Sequence, residues 1–177
     1  MSASKLVRPD IQYKNSYLAA LQEYHAEGHR LYNDIHRVSS DFPAFITALR
    51  AERGYPHQHF QDWVEPVPET ILWLVKDDEY IGTADIRHRL NWHLEKWGGN
   101  IHFVIRPTMR GKGFGKKILT KVKPFANYIG IEKALITVAP DNAPAIAVIE
   151  FCGGVFANEL HETNQFPARR RYWLDCT

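Results

Sequence analysis

Residues 101–117 read Ile-His-Phe-Val-Ile-Arg-Pro-Thr-Met-Arg-Gly-Lys-Gly-Phe-Gly-Lys-Lys, and the order of residue types in this stretch decides the fold. The run 101–105 is apolar and rich in β-branched and aromatic residues, which favours a strand. Pro107 closes it, because proline has no N–H to give to a ladder. Glycine then alternates with cations through Arg110, Gly111, Lys112, Gly113, Phe114 and Gly115. Directly afterwards Phe114, Ile118, Leu119, Val122, Phe125 and Ala126 recur at helical spacing. The reading is strand, glycine loop, helix. Glycines let backbone N–H groups approach an anion, and the first N–H groups of a helix have no partner inside it, so the junction is suited to cradle phosphate.

Outward from this junction, residues 5–7 read as a short strand stopped by Pro9. Asp10 caps a helix with Tyr17, Leu18, Leu21, Tyr24 and His25 on one face and Gly28 at its end. A second helix starts near Asp41 and Pro43, is apolar at Phe42, Phe45, Ile46 and Leu49, and ends by Gly54. Residues 55–69 have loop composition. His57 and His59 lie there without a third ligand at suitable spacing, so no metal is expected. Strand patterns at 71–76 and 80–88 join through Asp77-Asp78-Glu79 as a hairpin. Residues 90–99, with Trp92, His93, Glu95 and Trp97, form either a pocket wall or a loop tucked onto the sheet.

Beyond the glycine loop the helical pattern runs to about Gly130. Pro124 predicts a kink or break near Lys123, since proline loses a hydrogen bond and clashes with the carbonyl four residues back. A buried strand at 134–138 follows. Asp141-Asn142-Ala143-Pro144 opens another helix, Gly153-Gly154 ends it, and strands at 155–160 and 170–175 close the chain.

Composition narrows the function. The 177 residues suit one domain, 1–177, with a substantial core. A net charge of +2 is too mild for a nucleic-acid binder. Cys152 and Cys176 make no disulfide framework and are expected as free thiols. No apolar run suits a secretion signal or a membrane span, which predicts a soluble, cytoplasmic protein without a membrane partner.

Two familiar phosphate loops fail on counting. A Walker A loop needs glycine where Arg110 stands and Ser or Thr where Lys117 stands, and the dinucleotide fingerprint needs glycine where Lys116 or Ile118 stands. What fits is Q/R-x-x-G-x-G/A, with Arg110, Gly113 and Gly115 at its fixed places. This resembles the acetyl-CoA-binding segment of the GNAT superfamily of N-acetyltransferases. Residues 142–153 also resemble that superfamily's second motif, through Asn142, Ala145, Val148, Glu150 and Gly153. The element order β-α-α-β-β-β-α-β-α-β-β is similar to the superfamily's over the whole chain. The resemblance therefore implies a mixed α+β fold: a mostly antiparallel, splayed sheet flanked by helices.

The resemblance also implies roles. Acetyl-CoA would be the cosubstrate, with no metal. Its pantetheine arm would lie in the splay as an added strand, against the backbone of Val104 and Ile105, with the Val104 N–H polarising the thioester carbonyl. Arg110, Gly111, Lys112, Gly113, Phe114, Gly115 and Lys116 would hold the pyrophosphate, the lysines adding charge to the backbone cradle. Asn142 would cap its helix and contact CoA, although capping alone accounts for it. Relatives place a Glu or His on the glycine-loop strand as general base, and His102 and Asn100 occupy those places here. Strand alternation puts 100, 102 and 104 on one face, and imidazole changes protonation near neutral pH, so His102 is the candidate base. Many relatives carry a tyrosine general acid where this chain has Ile149, which cannot donate a proton. Asp85, His88 and Glu95 are reserve acid–base groups.

These features lead to an N-acetyltransferase acting on a primary amine by direct attack in a ternary complex. The alternative is a catalytically silent acyl-CoA-binding module. A small-molecule acceptor is favoured over a protein by the aromatic loop, and the lack of an acidic excess weighs against polycationic acceptors. The resemblance leaves a homodimer open.

Overall fold

A computed structural model describes residues 3–51, 53–55 and 65–177, with backbone alone at 53–55. His57, His59 and Trp63 lie outside the described residues. In the first sheet, β1 (Lys5–Val7) and β2 (Arg53–Tyr55) pair with β3 (Val67–Lys76), which pairs with β4 (Glu79–Arg87), which pairs with β5 (Ile101–Ile105). The second sheet holds β6 (Lys133–Val138), β7 (Val155–Leu160) and β8 (Arg169–Asp175), with β8 in the middle. All of these pairings are antiparallel.

Helices α1 (Lys14–Ala26), α2 (Ile35–Ser40) and α3 (Phe42–Arg50) precede the long hairpin, α4 (Leu94–Trp97) precedes β5, and α5 (Phe114–Tyr128) and α6 (Ala143–Phe151) flank β6. Strand alternation divides the core into two layers. Leu72, Leu74, Ala84, Ile86 and Ile101 meet Ile118, Leu119 and Val122 of α5. Ile71, Trp73 and Val75 meet Tyr17, Leu21 and Phe42 on the other side. There Tyr17 stacks on Trp73 with ring centroids 4.6 Å apart. Each such large apolar side chain contributes roughly 1.5–3 kcal/mol on burial. Among the described residues no helix is long and apolar enough to cross a membrane.

Several elements differ from the sequence expectation. α2 is a six-residue helix that the pattern does not reveal, capped by Asp34 through the Arg37 N–H. The second expected helix ends at Arg50 rather than near Gly54, and α4 is a further short helix inside the aromatic connection. β3 begins at Val67 rather than 71, because Val67, Glu69 and Thr70 turn inward while Pro68 faces solvent. α5 runs through Pro124 without a break. Pro124 lies on its exposed side, while Val122 and Ala126, both fully buried, hold the turn on either side of it against the core.

The two sheets touch at one end and part at the other. Gly99 bridges Ile136, and the Asn100 N–H donates to the Leu135 carbonyl at 2.7 Å. The Asn100 side chain fastens both sides, accepting from the Leu135 N–H at 2.9 Å and donating to the Arg87 carbonyl at 3.2 Å. Gly99 has φ +67°, and a Cβ there would stand 2.4 Å from the Leu135 carbonyl oxygen, so glycine permits this approach. Beyond it β5 and β6 form no ladder, which leaves a V-shaped split.

Candidate active site

The glycine loop opens beside this split. Gly111 and Gly113 take left-handed φ values of +72° and +79°, and a Cβ on either would meet nothing within 4 Å. Backbone conformation, rather than lack of room, therefore selects glycine here. Gly113 is the N-cap of α5 and no side chain caps that end, so the first N–H groups remain turned outward. Phe114 anchors the first turn in the core, and Gly115 lets α6 approach, its Cβ position lying 3.0 Å from a Val148 methyl. The fit to a diphosphate is thus a matter of main-chain donors at a helix start.

Two of the three cations of this loop, Arg110 and Lys116, have other partners. Arg110 donates to the Ile105 carbonyl at 3.1 Å and pairs with Glu27 of the α1 C-terminus at 2.9 Å. Lys116 holds its ammonium 3.7 Å from the Phe151 ring centroid, and Lys112 is exposed. Arg106 pairs with Glu23 at 2.8 Å, and the Thr108 N–H donates to the same carboxylate at 3.1 Å. Burial alone would raise the Glu23 carboxyl, but the bonds from Thr108 and Arg106 outweigh it and leave it below its usual range. These links fasten the loop to α1.

His102 stands directly opposite Asp85 in the β4–β5 register, and its Nδ1 lies 2.9 Å from Asp85 Oδ2. The Asp85 side chain is 17% exposed, while that of His102 is 49% exposed at the mouth of the split. Burial would raise the Asp85 carboxyl, yet the hydrogen bond and charge of His102, with Arg30 and Arg87 behind them, hold it at about 2. An ionised Asp85 accepts the Nδ1 proton, so the neutral ring presents Nε2 as a proton acceptor.

Register also decides which main-chain groups face the split. The Arg87 N–H donates to the Asn100 carbonyl at 2.7 Å and the Arg106 N–H to the Ile81 carbonyl at 2.8 Å. With Thr83 opposite Val104, the groups of His102 and Val104 turn toward β4, and those of Phe103 and Ile105 turn into the split. This corrects the expectation for Val104, whose N–H belongs to the ladder. Side-chain alternation follows from the strand itself, but the direction of the main-chain groups is set by the partner strand.

Loop, split and His102 line one cavity of about 1200 Å³, together with Asn142. Asn142 caps α6 by accepting from the Ala145 N–H at 3.2 Å. Ile149 is buried in the core. Phenols reach the cavity wall instead from the α1 side, at Tyr24 and Tyr32. The Tyr24 hydroxyl is 3.3 Å from that of Tyr80, and burial raises its pKa although Arg30 acts in the opposite sense, so it stays protonated at neutral pH.

Of the site residues singled out in the sequence, His102, Asn142 and most of the loop line the cavity, with Asp85 paired to His102; Tyr24, Arg30, Tyr32 and Arg169, not singled out as such, line it too. No local pattern marks these four, since they come together only through the fold. Among the other reserve groups, His88 bonds the Thr70 hydroxyl at 2.7 Å and Glu95 is exposed on α4. The aromatic connection does supply wall: Trp97 lines the cavity and stacks on Phe166 at 3.9 Å.

A split antiparallel sheet with a glycine-loop helix at its opening is the architecture of an acyl-CoA-dependent transferase. The chain belongs to the acetyltransferase (GNAT) family, which matches residues 27–153. No curated protein matches the sequence. Among solved structures, the microcin C7 self-immunity acetyltransferase in complex with acetyl-CoA and AMP is similar with a TM-score of 0.68 and 13% identity, over 99% of this chain and 93% of that one. Mycobacterium smegmatis RimJ in complex with CoA-disulfide gives 0.67 and 16%, over 97% and 81% of the two chains. The aminoglycoside acetyltransferase AAC(6')-Ib in complex with coenzyme A gives 0.64 and 17%, over 98% and 95%. At these identities the likeness is one of fold.

Proposed function

We propose that this acetyltransferase moves the acetyl group of acetyl-CoA to a primary amine by direct attack in a ternary complex. The observation that carries the reading is the His102–Asp85 pair beside the split into which Phe103 and Ile105 turn their main-chain groups. The glycine loop and the α5 N-terminus hold the pyrophosphate through backbone donors, with Asn142 at the α6 start alongside. Phe103 and Ile105 hydrogen-bond the pantetheine arm, and their N–H groups are the donors available to the thioester oxygen.

His102 Nε2 takes the proton from the acceptor ammonium, directly or through a water. The freed nitrogen lone pair forms the C–N bond as the C–S bond breaks, and the sulfur electron pair leaves as thiolate. A proton returns to that sulfur from water or from Tyr24, in place of the phenol that Ile149 cannot supply, and the donor is made good by the second proton that the nitrogen sheds as the neutral amide forms. The cavity draws residues from α1 through β8, which supports residues 1–177 working as one catalytic unit. Its aromatic walls favour a small-molecule acceptor over a protein.

Thiol release from acetyl-CoA against a panel of amines, run beside calorimetric CoA binding, tests the reading. His102→Ala is expected to lower kcat and flatten the acid limb of the pH–rate profile while CoA still binds. An unchanged kcat across pH removes His102 from the mechanism, and loss of CoA uptake by the wild-type protein removes the function.

A further inference from the structure

The cavity is rich in arginine. Arg30, Arg87, Arg110 and Arg169 line it, and Arg110 belongs to the glycine loop. Arg87 is committed to Glu69 at 2.7 Å and to the Gly98 carbonyl at 3.2 Å. Arg30 and Arg169 form no ion pair among the described residues. Arg169 donates to the carbonyl of its own neighbour, Ala168, at 3.1 Å. Asp85 lies close enough to Arg30 for each to feel the other's charge, but its short contact is with His102.

Arg30 is held in place by unusual means. It is a non-glycine residue with φ +55°, and His25 Nε2 meets its carbonyl oxygen at 3.2 Å. Its guanidinium lies 5.2 Å from the Tyr24 ring centroid. Its side chain also hydrogen-bonds Tyr17. A guanidinium held by neutral rings and a disfavoured backbone conformation, without a carboxylate among the described residues in ion-pair contact, leaves its charge available to a ligand.

Sidedness separates these arginines from the CoA-facing helices. Tyr172 and Leu174 of β8 join the core cluster that contains α5, so alternation turns Arg169 to the opposite face. His102 lies on that same face of the sheet system, because Ile101, Phe103 and Ile105 pack toward α5. Arg30 follows α1, which covers that face of the first sheet.

We infer that the amine acceptor carries a carboxylate, received by Arg30 with Arg169, so that its amine is presented to His102. The substrate class is an amino acid or a related amino carboxylate, with Tyr24, Tyr32 and Trp97 against its apolar part. This inference rests on the proposed acetyl transfer for its direction. A polyamine would bring only positive charge into an arginine-lined space, whereas a zwitterion brings the counter-charge with it. The planar guanidinium fork matches a carboxylate in two parallel hydrogen bonds.

The test separates binding from turnover. Calorimetry compares N-acetyl-L-phenylalanine and N-acetyl-L-leucine with their carboxamides on the intact protein, in wild type, Arg30→Gln, Arg30→Lys and Arg169→Gln, with circular dichroism confirming the fold of each. At least one acid is expected to bind about 10-fold more tightly than its amide, as for a charge-assisted contact. Arg30→Gln removes most of that preference and Arg169→Gln part of it, while Arg30→Lys keeps part and CoA affinity stays unchanged in all. Equal binding of acids and amides in wild type overturns the inference, as does a preference untouched by both glutamine variants. Tighter binding of a matched aminoalkyl phosphate than of the acids also overturns the carboxylate assignment. A clear preference for acids in a protein that releases no thiol with any amine leaves this inference standing and removes the acetyl-transfer reading. Thiol release with spermidine or amino-acid amides but not with amino acids does the reverse.

Discussion

The Nδ1 atom of His102 and the Oδ2 atom of Asp85 lie 2.9 Å apart because these residues are register partners across the β4–β5 ladder. Two strands, rather than a loop, therefore fix the imidazole's orientation. Replacing Asp85 by Asn leaves a neutral partner that can hold the wrong tautomer. We expect kcat to fall roughly 10- to 100-fold, part of what a positioned base supplies, with CoA affinity unchanged. The Asp85 carboxyl is held at about 2 and so is ionised at every working pH. Removing the carboxylate also moves the acid limb that depends on His102, so the deficit of Asp85→Asn is compared on the plateau of the two pH–rate profiles. A plateau equal to the wild-type one would detach Asp85 from His102.

Gly113 has φ +79° with open space where a Cβ would stand. Gly113→Ala should cost about 1–2 kcal/mol of stability from backbone strain alone. The same strain acts on the conformation that turns the first α5 N–H groups outward, so the Kd for CoA should rise about 10-fold or more, against a smaller change for Lys112→Ala. Urea unfolding and calorimetry read the two effects separately.

Glu23 joins α1 to the segment before the glycine loop through Arg106 and Thr108. Its carboxyl titrates lower in the folded protein than in the unfolded chain. The stability it supplies is present above the unfolded pKa and is lost as pH falls through the folded one. Glu23→Gln should thus destabilise by about 2 kcal/mol at neutral pH, with the gap to wild type closing in acid. Parallel thermal melts at neutral and acidic pH measure that gap, and a constant gap would contradict the assignment.

Pro124 leaves the exposed side of α5 without one backbone donor. Pro124→Ala restores a donor for the Thr120 carbonyl and removes the ring from an unbroken helix. A gain of about 1 kcal/mol or more is expected, the helix-interior penalty of proline less its restriction of the unfolded chain. An increase in the urea midpoint with unchanged slope would demonstrate it.

Most of the strand and helix order could be read from hydrophobic periodicity and from the Asn142 cap, which accepts the Ala145 N–H. Asp10 instead caps a 3-10 turn, Ile11–Tyr13, and α1 starts from that turn with no side-chain cap. The short helices could not. α2 and α4 span six and four residues, too few to establish a 3.6-residue repeat. Pro124 misled because local propensity is weaker than the burial of Val122 and Ala126 on either side of it. The site divides in the same way. The glycine loop is contiguous in sequence and could be recognised, and His102 follows from alternation. The direction of the Val104 N–H depends on pairing with Thr83, and Arg30 and Arg169 come to line one cavity only after the chain has closed around it.

Asn100 makes the split a seam with one stitch at its closed end. Farther along, no backbone ladder spans β5 and β6, so there the two sheets are joined through the apolar core under α5, to which a ligand in the split adds. A guest laid along that seam acts as mortar, raising the melting temperature by mass action, by about 2.7 kcal/mol of stability at one hundred times its Kd. The empty enzyme should accordingly be the more heat-labile form, and thermal tolerance in the cell should follow the supply of the acyl donor.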